Sequence, residues 1–192
     1  MSSTFSSTST GISLSVAAQN PVTIVSGAIV TNTTTAHYGD ALYGSPAAAW
    51  TIGNFGTLNA TGAASSGLDL RSDGTVTNAA SARITGVVNG IVVRGDAGTV
   101  NNAGTVSGTG TSGTAGRGIY LYTSSGFVSN ASAGLIVGVL DAVKIGSTAA
   151  SVINSGTISA TGTAGEGVLL ATVDGSVTNN LGGKIFGVKY GV

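Results

Sequence analysis

Apolar residues recur along this chain in three phased series, none of them at helical spacing. In the first, a Val or Ile stands two residues before an Asn: Ile52/Asn54, Val76/Asn78, Val100/Asn102, Val128/Asn130, Val152/Asn154 and Val177/Asn179. The second runs Ile29, Leu58, Ile84, Val106, Ile136, Ile158 and Ile185. The third follows a Gly or Ala: Leu42, Leu68, Ile91, Ile119, Val143, Val168 and Val192. Three series per repeat predict three short strands per coil and a roughly triangular cross-section. Repetition with a period of roughly 25 residues is the mark of a stacked architecture. The reading is therefore all-β, a single-stranded parallel β-helix (β-solenoid) of about seven coils. One such coil buries too few side chains to stand alone and needs a neighbour above and below.

The coils alternate in kind. Those carrying Asn54, Asn102 and Asn154 have longer Thr/Gly/Ala loops, at residues 60–66, 108–117 and 160–166, and the intervening coils do not. The repeat is thus a pair of coils. Residues 1–19 read as a frayed Ser/Thr-rich tail followed by a cap strand at 11–18, where Ile12, Leu14 and Val16 alternate with polar or small neighbours. Residues 20–192 read as the solenoid proper. Its first coil departs from the pattern, with Val25 in place of the Asn.

Asn54, Asn78, Asn102, Asn130, Asn154 and Asn179 share one phase, which predicts a structural ladder. Asn tolerates left-handed backbone at turns, and in register each amide can donate to the side-chain carbonyl of the next.

Composition narrows the function. Charged residues make up 7% of the chain, against about a quarter in average proteins, so Ser, Thr, Asn and Gly must cover the surface. Seven basic and seven acidic residues cancel, and no basic run is present. This argues against nucleic acid as a partner. The absence of Cys suits export through an oxidising compartment. The first ten residues, MSSTFSSTST, have neither the basic nor the apolar region of a signal peptide.

The units SVTNN, SVINSGTISATG and GEGVLL resemble the repeats of bacterial autotransporter passenger domains and related β-strand-repeat surface proteins. The resemblance covers about residues 20–192. It implies a right-handed β-helix, an extracellular or bacterial cell-surface location, and a role in adhesion or as a stalk. Contact with the outer membrane would then come only through a translocator that this chain does not contain.

Several residues invite chemistry. Gly108, Gly110 and Gly113 match GxGxxG, but neither the helix nor the acid that the dinucleotide motif requires follows. His37 is the single His and Cys is absent, so no metal site is expected, and no cofactor. Asp69, Arg71 and Asp73, then Arg94 and Asp96, follow the third series in consecutive coils. In register, Arg71 would lie over Arg94 and Asp73 over Asp96. The patch reads first as a corner where Arg neutralises stacked Asp. The alternatives are a glycan or cation site, or a carboxylate pair like those of polysaccharide-cleaving β-helix enzymes. Two residues before the third series, Arg117 stands one coil from Asp141, an exposed pair worth about 0.2–1 kcal/mol.

The function expected from these readings is a non-enzymatic structural or adhesive solenoid segment with a host or matrix glycan or protein surface as partner. A β-helical polysaccharide lyase or hydrolase and a glycan-binding module are the alternatives. End-to-end self-association through the uncapped C-terminal coil is a further expectation, because unpaired strand edges template pairing.

Overall fold

Parallel register runs from one end of the chain to the other. The computed structural model describes residues 2–171 and 174–192, and it is a parallel β-solenoid of about six turns. A first face stacks Val22–Ile24, Trp50–Asn54, Gly74–Asn78, the latter halves of Asn89–Asn102 and Arg117–Asn130, then Ala149–Asn154 and Asp174–Asn179. The second face is a seven-stranded sheet from Ile29–Thr31 to Lys184–Phe186. The third stacks Leu42–Gly44, Ser66–Leu70, the leading halves of the two long strands, Asp141–Ile145 and Glu166–Leu170. Asn89–Asn102 and Arg117–Asn130 each run 14 residues around a corner. They join the first and third faces into one 13-stranded sheet.

Strand alternation sends the three series inward. Ile52, Val76, Val100, Leu58, Ile84, Val106, Leu68, Ile91 and Ile119 are all buried in one continuous core. Like sits over like: Val76 over Val100, Ile84 over Val106, Ile91 over Ile119. Where the second and third faces meet, the corner is too tight for a side chain. A Cβ on Gly90 would lie 2.6 Å from the Gly118 carbonyl oxygen and 2.7 Å from Val106 Cγ1.

The ends depart from the sequence reading. In the first coil Val30 pairs with Leu58 and is fully buried, whereas Ile29 is 55% exposed, so the second series begins at Val30. Ile24, rather than Val25, stands in register with Asn54. The N-terminal segment is neither frayed nor a single cap strand. Ser3–Phe5 pairs with Val22–Ile24, Thr8 bridges to Val30, and Ile12–Leu14 pairs with Leu42–Gly44. These contacts make a further coil, with Leu14 fully buried. Its outward polarity hid it, because short Ser/Thr strands read as coil until a neighbour supplies the hydrogen bonds. At the other end Leu181, Phe186, Val188, Tyr190 and Val192 are exposed.

The paired-coil rhythm has a physical cause. Each long loop folds over the short corner of the coil below it. Gly110 and Gly116 donate to the Val87 carbonyl, and Gly162 donates to that of Val139. A short corner between two long loops leaves the space that each loop fills.

Candidate functional site

Where the first face turns into the second, the six phased Asn side chains lie in one column. The Nδ2 of Asn54 donates to Asn78 Oδ1, and the same bond repeats from Asn78 to Asn102, to Asn130, to Asn154 and to Asn179, at 2.7–2.9 Å. Each amide also donates to backbone carbonyls at the turn, as Asn102 does to Gly104. Asn54, Asn78, Asn102, Asn130 and Asn154 are buried. None of the six adopts positive φ, so the left-handed explanation for Asn is corrected. These residues are strand ends, and Asn is required there for an amide that can both accept and donate.

The charged patch divides into two arrangements. On the third face Asp69 is 3% exposed and receives two guanidiniums: Arg71 Nη2 at 3.0 Å on one oxygen, and Arg94 Nη1 on the other. Burial pushes the Asp69 carboxyl above its ordinary range, and the charges of Arg94 and Arg71 pull it back. Asp73 and Asp96 lie at the next corner, and each carboxylate is held by other groups. Asp73 Oδ1 accepts the backbone N–H of Asp96 at 2.5 Å and that of Ala97 at 3.1 Å, and Asp96 Oδ1 accepts the Ser124 hydroxyl at 3.3 Å. The register explains the difference. Leu70 pairs with Val93, but Gly74 pairs with Gly98, so one extra residue has entered between them. Gly95 absorbs it at φ +115°, and a Cβ there would lie 2.4 Å from Asp73 Oδ1.

Beside this patch lies a row of polar side chains two residues before the third series. Arg117 Nε meets Asp141 Oδ2 at 3.0 Å, with Arg117 9% and Asp141 3% exposed. The pair is therefore buried rather than exposed. Arg117 also donates to the Thr114 carbonyl, which pins the long loop above it. Asp40 accepts the Ser66 N–H at 2.6 Å through Oδ1, while its buried Oδ2 has no hydrogen-bond partner. Burial raises its pKa to about 7, against the opposing pull of the Ser66 amide. In the same row Asn89 donates to Ser66 Oγ at 3.3 Å, with its own Oδ1 left without a partner.

Aromatic rings complete the third face. His37, in the first loop, stacks on Tyr43 with centroids 3.8 Å apart and an 8° tilt, and bonds Ser13 Oγ at 3.1 Å. The Arg71 guanidinium lies 5.9 Å from the Tyr43 ring. Arg117 and Lys144 lie 5.1 and 5.8 Å from the ring of Tyr120, which sits 6.0 Å from that of Tyr122. The sequence reading passed over these rings. Their signal was phase: Tyr43, Asp69, Val92, Tyr120 and Lys144 each follow the third apolar residue by one and lie in register.

Among the described residues no group of three or more His, Asp or Glu side chains could hold a metal ion. Residues 109–116, which carry most of the GxGxxG match, form a loop that leads directly into the strand Arg117–Asn130. A groove of about 510 Å³ runs along the first face over Gly98, Phe127 and Ala150. No family model, curated protein or solved structure matches this chain.

Proposed function

We propose that this chain is a non-enzymatic structural and adhesive β-solenoid, a segment of a bacterial cell-surface or secreted protein comparable in role to an autotransporter passenger stalk. The observation that carries the reading is the unbroken Asn column. Five consecutive side-chain bonds join six coils and fasten them into a rod whose two Asn-flanking faces show mostly Thr, Ser and Asn. A low charge content and the absence of Cys suit an extracellular setting.

The lyase or hydrolase alternative draws no support from Asp73 and Asp96. Asp73 Oδ1 is taken up by the backbone amides of Asp96 and Ala97, and Asp96 Oδ1 by the Ser124 hydroxyl. The test has two arms. Beads coated with the chain should adhere to immobilised host or matrix glycans more than uncoated beads do. Incubation with a panel of polysaccharides should release no reducing or unsaturated ends. Turnover abolished by Asp96→Asn would overturn the proposal.

A further inference from the structure

The third face differs chemically from the other two, and its order along the axis is regular. His37 and Tyr43 form a stacked platform in one coil. Arg71 follows in the next coil and Arg94 in the one after, and Arg94 is in register with Tyr122. Tyr120 stands beside Tyr122 in that coil, and Lys144 follows Tyr120 in register. With about 4.8 Å per coil, the two aromatic stations lie roughly 14 Å apart with two guanidiniums between them.

The guanidiniums are preorganised. Asp69, buried beneath them, receives one from each side, while Arg71 and Arg94 keep 32% and 33% of their side chains exposed. Arg71 and Arg94 thus put two half-exposed cations on this stretch, while the acids beyond them, half-buried Asp73 and exposed Asp96, are held by the Asp96 and Ala97 amides and by the Ser124 hydroxyl. Next to Arg94 a shallow pocket of about 290 Å³ is lined by Gly95, Tyr122, Ser124, Gly146 and Thr148. Hydroxyls and an exposed ring around one shallow pocket suit a sugar residue, and the Arg94 guanidinium, held on Asp69, lies one coil along the axis from it. Three half-exposed cations, Arg71, Arg94 and Lys144, are too few for a nucleic-acid backbone, whose affinity grows with the number of phosphates neutralised.

We propose that this face binds an extended, carboxylate-bearing polysaccharide, with an acid group against Arg71 and Arg94 and sugar rings over Tyr43 and over Tyr120 and Tyr122. Charge-assisted bonds from a fixed fork fit a carboxylate. Aromatic faces fit the flat apolar side of a pyranose. A ligand that advances about one ring per coil can use every station in turn. The proposal deepens the adhesive reading above and rests on it.

Biolayer interferometry on the full chain tests it, with polygalacturonate as the probe and dextran, polyglutamate and duplex DNA as comparators. Polygalacturonate should bind and weaken with added salt. Tyr122→Ala, at a side chain 62% exposed, and Arg94→Gln should each weaken binding by about tenfold, the order of one lost stacking or charge-assisted contact. Arg83→Gln, on the second face, should leave it unchanged. Because Arg94→Gln removes a partner of buried Asp69, Tyr122→Ala is the variant whose fold should survive, checked by circular dichroism. No polygalacturonate binding, equal binding of dextran, polyglutamate or DNA, or unchanged binding by a folded Tyr122→Ala variant would each overturn the site. Bead adhesion that persists without polygalacturonate binding sinks the site and leaves the adhesive reading standing. Release of reducing ends from bound polymer sinks the non-enzymatic reading and leaves the site.

Discussion

The Nδ2 of Asn102 reaches Asn130 Oδ1 at 2.8 Å although the two residues are 28 apart in sequence, whereas the column's other neighbours are 24 or 25 apart. The surplus leaves the coil as the loop 109–116, pinned by Arg117, and does not disturb the column. The Asn column therefore sets the register, and the loops adapt to it.

Asn102→Ala should lower stability by about 1–3 kcal/mol, because Asn78 and Asn130 lose partners inside the protein. Asn59→Ala, at a half-buried position outside the column, should cost much less. Urea midpoints of the two variants make the comparison. Equal losses would deny the column any special role.

The first coil offers a sharper test of which residue points inward. Val30→Asp buries an unpaired charge and should cost several kcal/mol, while Ile29→Asp, one residue away on the exposed side, should leave the melting temperature nearly unchanged. Ile158→Asp should resemble Val30→Asp, because Ile158 is fully buried between Ile136 and Ile185.

Asp40 makes stability depend on pH. Its pKa rises from an ordinary 3.8 to about 7 on folding, because burial penalises the charged form. A group raised in the folded state contributes stability that is fully present below its unfolded pKa and lost as pH rises through the folded one. Melting temperature should therefore fall between about pH 4 and pH 7 on account of this group. Asp40→Asn should flatten that slope, as thermal scans across the range will show. A slope that survives the substitution would assign the dependence to another group.

Two of the ion pairs that link adjacent coils should differ in weight. Arg117→Ala leaves Asp141 buried without its partner and should cost about 3–5 kcal/mol. Lys189→Ala, at an exposed pair with Glu166, should cost less than about 1 kcal/mol. A double-mutant cycle on each pair separates the coupling from the loss of either side chain. The Arg117 variant should also become sensitive to proteases within residues 109–116, because the bond to Thr114 is lost with it.

The sequence by itself determined the stack. Val76, Val100 and Val128, or Leu58, Ile84 and Val106, can share a phase over such lengths only if each coil places the same atom over the same atom. Parallel strands impose that repetition, so the three faces, the core and the alternation of loops were legible. Only the tertiary structure decided where the rhythm starts, since Ser3–Phe5 becomes a strand because Val22–Ile24 offers it hydrogen bonds. It also decided the charged patch. The single residue added around Gly95 gives the Asp73 side chain the backbone amides of Asp96 and Ala97 as partners, and no count of residues along one strand shows where a neighbouring strand slips. The burial of Arg117 and Asp141, the raised pKa of Asp40 and the ring stations of Tyr43 and Tyr120 have the same origin. Each depends on which loop or coil covers a side chain, and that is fixed by packing across coils more than twenty residues apart.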